Sequence, residues 1–141
     1  MKVKVYIMHS EKVNYKEDIY KPLLERGLMN DFFLILPMTE KFKAEYVKEL
    51  IGDSDIVICD LTKFNFFSNI ELKVAKKLNK DIRYFVRSDD KNKSKYKDIN
   101  IIEYNNSLEY VGYVENILKS LNQKEILLRR ENIYCLGKIV K

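Results

Sequence analysis

The strongest constraint in this chain is an alternation. Short, mostly apolar runs recur at Val3 to Met8, Phe32 to Leu36, Ile56 to Cys59, Ile82 to Val86 and Ile101 to Tyr104, and stretches with helical spacing or polar loops separate them. Strands of this kind, separated by helices, belong in a parallel sheet covered on both faces and joined by right-handed crossovers. The expected fold is α/β: a flavodoxin-like three-layer sandwich with a five-stranded parallel sheet in the order 2-1-3-4-5.

The intervening segments read as helices. Tyr15 to Leu24 places Tyr15, Ile19, Tyr20, Leu23 and Leu24 at helical spacing, with Gly27 as a stop and Pro22 predicting a kink or a broken first turn. Thr39 is suited to cap a helix reaching Ile51, with Phe42, Tyr46, Val47, Leu50 and Ile51 on one side and Gly52 beyond its end. Ser68 or Asn69 starts the next, running to Asn79. Asn106 followed by Glu109 resembles a capping box opening a helix to about Leu121. Residues 1–122 thus read as one domain. The extension 123–141 carries Ile126, Leu127, Leu128, Ile133, Tyr134, Leu136, Ile139 and Val140. It is too apolar for a free arm and is expected to pack on the domain or on a second subunit.

Composition removes several classes of chemistry. The 141 residues hold four glycines, none close to another, which excludes both the GxGxxG fingerprint and the Walker A loop. One histidine, His9, and two distant cysteines, Cys59 and Cys135, argue against clustered zinc or haem ligation. Serine triads are excluded by the same shortage, and no serine sits in a GxSxG elbow. No run approaches the roughly 18 apolar residues of a membrane span, and Met1 to Met8 alternates lysine with apolar residues, unlike a signal peptide. A non-exported, cytoplasmic protein without membrane contact is expected, and a reducing compartment suits the cysteine usage. The net charge of +5 sits in Arg87 to Asp98 and in the extension, net +2 and +3. Neither carries a nucleic-acid-reading motif, so solvated lysines are the plainer reading.

Ligands of open parallel sheets bind beyond the carboxyl ends of the strands, where strand order reverses, here between strands one and three. That selects His9 and Ser10 after strand one. Asp60, Thr62 and the loop Lys63 to Asn69 follow strand three, and Arg87 follows strand four. Each has two readings. Asp60 is a ligand-binding carboxylate or an ordinary strand boundary; Asn65 and Asn69 bind sugar hydroxyls or make turns. Phe64, Phe66 and Phe67 stack a nucleobase or cover the core. His9 is a site residue or a structural one, and Arg87 meets an anion or only solvent.

Glu71 is the most informative position. On a helical wheel at about 100° per residue, with Ile70 at 0°, Val74, Leu78, Glu71 and Ala75 fall at about 40°, 80°, 100° and 140°, and Lys73, Lys76 and Lys77 lie opposite. Glu71 therefore occupies the apolar stripe, in what this reading makes the first helical turn. An unpaired carboxylate directed at a core costs several kcal/mol unless it is hydrogen-bonded or opens into a cleft. Either it caps its own helix or meets a hydroxyl such as Tyr6, or it serves a site.

The run Ser54-Asp55-Ile56-Val57-Ile58-Cys59-Asp60-Leu61-Thr62, a loop with asparagines, then Ile70-Glu71-Leu72-Lys73-Val74-Ala75, resembles nucleoside 2-deoxyribosyltransferases. It is also similar to bacterial Toll/interleukin-receptor-like (TIR-like) domains, which share that layout. The opening Val5-Tyr6-Ile7-Met8-His9-Ser10, with Tyr20-Lys21-Pro22-Leu23, is similar to small members of the same group, and the resemblance spans about Val3 to Val86. It implies a helix-borne glutamate, Glu71, as nucleophile, Asp60 holding or protonating the leaving base, and Tyr6 as the strand-one aromatic. TIR-like NAD-cleaving enzymes place a glutamate on the same helix, and both chemistries break an N-glycosidic bond, so the resemblance implies no metal and no bound cofactor. The chain departs from its relatives at Lys73, where they usually read glycine, and at the bulky Phe66-Phe67. The resemblance also implies a nucleoside or nucleotide ligand and a homo-oligomer, with NAD hydrolysis or a non-catalytic nucleotide-sensing or interaction module as the alternatives.

Overall fold

The structure, a computed structural model, describes residues 1–37 and 44–130. Five parallel strands form one sheet in the order β2-β1-β3-β4-β5: β1 (Val3–Met8), β2 (Phe32–Ile35), β3 (Ile56–Asp60), β4 (Asp81–Arg87) and β5 (Ile101–Tyr104). The expected sheet and its order are borne out. No helix among the described residues is long and apolar enough to cross a membrane.

The pleat sorts the apolar side chains into two cores. Val3, Val5, Ile7, Ile56, Ile58 and Phe85 face one side, where helical segments at Lys16–Tyr20 and α1 (Lys21–Glu25) lie with α4 (Ser107–Ser120). Tyr6, Met8, Val57, Cys59 and Val86 face the other, against α2 (Ala44–Asp53) and α3 (Phe66–Lys77). Every residue of β3 is buried, as a central parallel strand requires. On α4, Tyr110, Val111, Val114 and Leu118 recur at helical spacing and seal the first core.

Several boundaries differ from the sequence reading. Pro22 does not kink a continuous helix. A single wide, π-type turn at Lys16–Tyr20 precedes it, and Pro22 sits in the first turn of α1, where its missing N–H is no loss. Gly27, at φ +77, closes that segment as expected. α2 runs through Gly52 to Asp53 rather than stopping before the glycine, while Thr39 and Phe42 lie outside the described residues. α3 begins at Phe66, capped by Asn65, so Phe66 and Phe67 belong to its first turn and Glu71 to its second. Asn106 caps α4 by accepting from the Glu109 amide at 2.9 Å, but the return bond from the Glu109 carboxylate reaches Asn105 N.

Residues 123–130 are helical and pack Ile126 and Leu127 against the first core, and Arg130 forms a two-pronged ion pair with Asp55. Asp55 in turn accepts from Lys4 N at 2.7 Å. This part of the extension is therefore tied to the amino-terminal end of the sheet; the apolar residues from Ile133 to Val140 lie outside the described residues.

One buried polar atom in this core is uncompensated. The Tyr110 hydroxyl has no hydrogen-bond partner among the described residues, although its ring packs edge-on against Phe85 at 5.3 Å. An unsatisfied buried hydroxyl costs about 1–3 kcal/mol, and removing it while keeping the ring leaves the packing intact. Tyr110→Phe is expected to raise the unfolding free energy in urea by about 1 kcal/mol with an unchanged denaturant slope. A loss of stability would show that the hydroxyl has a partner in solution.

Candidate functional site

The carboxyl ends of β1, β3 and β4 carry the residues the sequence singles out, but the pleat divides them. Glu71 and Tyr6 lie on the α2/α3 face. Asp60, Thr62 and His9 lie on the face of α1 and α4.

Glu71 is buried, and its Oε2 accepts from the Tyr6 hydroxyl at 2.7 Å. Tyr6 pairs with Val57, three residues short of Asp60, so its backbone lies roughly 10 Å below the strand end. The carboxylate thus reaches down the sheet face, away from the rim. Its surroundings are not centred where the wheel placed them. Ser68, Leu72 and Ala75 are buried with Glu71, whereas Ile70 and Val74 are half-buried and Leu78 is exposed. The buried face is centred at about 150° instead, between Ser68 at about 160° and Ala75. Starting α3 at Phe66 also moves Glu71 away from the helix terminus, where its dipole is felt most. Burial pushes the Glu71 carboxyl up to about 7, and the Tyr6 hydrogen bond pulls the other way.

Asp60 is equally buried but differently furnished. Oδ1 accepts from Thr62 N at 3.0 Å and Thr62 Oγ1 at 2.6 Å, and Oδ2 accepts from the Tyr104 hydroxyl. Thr62 Oγ1 accepts in turn from Arg87 N at 2.8 Å. One carboxylate therefore ties the ends of β3, β4 and β5 together. Burial raises its pKa, while bonds from Thr62 and Tyr104 and the charge of Arg87 oppose the rise. Tyr104 is the site residue that the sequence reading missed. Its signal was positional, since it ends the edge strand and pairs with Arg87 across the ladder. Burial, then the charges of Asp60 and Glu71, push the Cys59 thiol up.

The remaining positions are placed as follows. His9 is buried, its ring stacked on Tyr15 at 4.3 Å, with Nδ1 at 3.1 Å from Ser10 O and Nε2 at 2.5 Å from the Tyr20 hydroxyl. Burial pulls its pKa down to about 4, against the pull of the Ser10 carbonyl, so the ring is neutral at pH 7. Ser10 Oγ accepts from Lys12 N. Asn65 accepts from Ser68 N and Oγ as the α3 cap and donates to Glu11 at 3.1 Å. Asn69 is exposed on α3, and Phe66 is 73% exposed, its ring edge-to-face with Phe67. Arg87 pairs with Asp89 at 3.3 Å. A cleft of about 610 Å³ opens above Thr62 and Arg87; neither Glu71 nor Tyr6 lines it. Among the described residues no group of three or more His, Cys, Asp or Glu is placed to hold a metal ion.

Fold and rim together define a parallel α/β domain with polar residues gathered at the strand-order switch. The sequence matches no protein-family profile. No curated protein matches it either. Among solved structures it is similar to the CMP N-glycosidase BcmB of Clostridium botulinum, with 18% identity and a TM-score of 0.53 over 79% of this chain and 98% of that one. It also matches the lysine decarboxylase LdcF of Francisella novicida at 16% identity and a TM-score of 0.45, over 84% of this chain but 17% of that one. The first likeness bears out the fold.

The raised Glu71 pKa has a stability consequence with a definite sign. Between the unfolded value of 4.5 and the folded value of about 7, the native state binds more protons than the unfolded state. Stability therefore falls as pH rises through that window. Glu71→Gln keeps an acceptor for Tyr6 and removes the charge. It is expected to stabilise the fold at pH 8 by up to about 3 kcal/mol and to give little gain below pH 4.5, read by urea unfolding at both pH values. Destabilisation at pH 8 would mark Glu71 as a stabilising cap.

Proposed function

We propose that this protein acts on the N-glycosidic bond of a nucleoside or nucleotide, with Glu71 as the nucleophile or cation-stabilising carboxylate. The observation that carries the reading is a buried glutamate on α3, held by Tyr6 and titrating near 7. Its fold is similar to that of a CMP N-glycosidase. Carboxyl groups whose pKa is strongly raised by burial cluster at functional sites.

In this reading Tyr6 fixes Oε2 and leaves Oε1, which takes no hydrogen bond among the described residues, to face C1′. The C1′–N bond breaks, its electron pair goes to the base nitrogen, and that nitrogen takes up a proton. The sugar carbon passes through an oxocarbenium-like state, which Glu71 stabilises or captures as an ester. Water then attacks C1′ to complete hydrolysis, or a second base does so to complete transfer. Asp60, its oxygens filled by Thr62 and Tyr104, acts as a positioning residue that holds the β3, β4 and β5 rims in register. His9, Ser10, Asn65, Phe66 and Asn69 are proposed as substrate contacts at that rim.

A second reading is a nucleotide-binding module without turnover, favoured by the absence of Glu71 from the cleft lining. The two separate in one assay. Incubation with nucleosides, nucleoside monophosphates and NAD is expected to release free base or nicotinamide, with a rate that rises with pH through about 7 as Glu71 ionises. Glu71→Gln and Glu71→Ala should each lower that rate by about 10²–10⁴-fold. Variants equal to wild type would overturn the Glu71 assignment, and saturable nucleotide binding without product would establish the module.

A further inference from the structure

We infer that the cleft between the loops after β1, β3 and β4 holds a phosphate group, so that the ligand is a nucleoside 5′-monophosphate rather than a nucleoside. The inference rests on the nucleotide part of the reading above and does not require turnover.

The cleft is built rather than incidental. Lys63 N donates to Asp90 Oδ2 at 2.8 Å and Asn92 N to Asp90 Oδ1 at 2.8 Å, so one aspartate ties the loop after β3 to the loop after β4. Thr62 Oγ1 ties the same two loops through Arg87 N. Lys63 holds a left-handed backbone at φ +51, a conformation that costs a side-chain-bearing residue about 1 kcal/mol or more and persists only where surrounding bonds impose it.

Cations converge on this space from all three loops: Lys12, Lys63, Arg87 and Lys91. Three aspartates, Asp18, Asp89 and Asp90, also line it. They do not neutralise it equally. Both Asp90 oxygens are engaged by backbone amides. Asp89 is 75% exposed in its pair with Arg87, an arrangement that contributes little and exchanges readily for a better anion. Lys12, Lys63 and Lys91 have no ion pair among the described residues. A dianionic phosphate meeting several of these cations gains charge-assisted bonds that a neutral sugar cannot make. At about 610 Å³ the space exceeds what bare phosphate fills and suits a nucleotide.

Calorimetric titration of the full-length Glu71→Gln protein, where turnover does not interfere, tests this with cytidine and CMP, adenosine and AMP, and inorganic phosphate. At low ionic strength each monophosphate is expected to bind at least about tenfold more tightly than its nucleoside. Adding Lys63→Gln, Arg87→Gln or Lys12→Gln should abolish that preference. Lys97→Gln, on an exposed lysine of the same loop outside the cleft, should preserve it, with circular dichroism melts confirming that every variant folds. Equal affinity for nucleoside and monophosphate, no binding of either, or an equal loss with Lys97→Gln would overturn the inference. So would inorganic phosphate binding as tightly as the monophosphates. Glu71-dependent base release without a phosphate preference overturns this inference alone. A phosphate preference without Glu71-dependent base release overturns only the N-glycosidic reading.

Discussion

The structure depends on the sealing of β3. With all five of its residues buried and helices on both faces, water reaches this strand only at its ends. Any polar group it carries must sit at the carboxyl rim or be satisfied within protein, and Asp60 does both. Its three donors come from Thr62 and from Tyr104, two strands away, so the carboxylate joins the central strand to the sheet edge. The same sealing separates the two carboxylates. Asp60 follows Ile56 and Ile58 onto one face, while Tyr6 lies with Val57 and Cys59 on the other and draws Glu71 there.

That separation gives the two acids different hydrogen-bond partners. Hydrogen bonds to a charged group contribute about 1.5–3 kcal/mol each, and burying a carboxylate costs several kcal/mol. Burial outweighs the donors at both, three at Asp60 and one at Glu71. Glu71 therefore titrates near 7, within reach of a small change in surroundings. A carboxylate buried with one donor is costlier to ionise than one that meets several, so its charge at neutral pH depends on its surroundings.

The fold was legible because its signal is redundant. Each apolar run agrees with the next in length and spacing, and no single residue decides the order. Site details rest on single residues, and there the reading slipped. Asn65 was weighed as a sugar ligand or turn former, and its role as the α3 cap could not be separated from those by local pattern. The consequent shift of the helix start moved Glu71 from the first turn to the second and rotated the buried face toward Ser68 and Leu72. Tyr104 was missed because its partner, Asp60, lies 44 residues away and only the sheet order brings them together. Parity along β1 and β3 puts Tyr6 and Asp60 on opposite faces, a division that nearness to the rim does not reveal.

The departures from the resembling enzymes also change meaning in three dimensions. Lys73, which stands where those relatives usually carry glycine, is exposed, about 200° around α3 from Glu71. A lysine there cannot crowd the Glu71–Tyr6 pair; it alters what approaches α3 from outside. Phe66 and Phe67, bulky residues of the α3 first turn, are both exposed, and Phe67 stands one turn above Glu71 on the same helix. Exposing a large aromatic next to a desolvated carboxylate leaves apolar surface on the helix turn between Glu71 and the rim. The bulk at Phe66 and Phe67 thus stands on the exposed first turn of α3, outside the buried Glu71–Tyr6 pair.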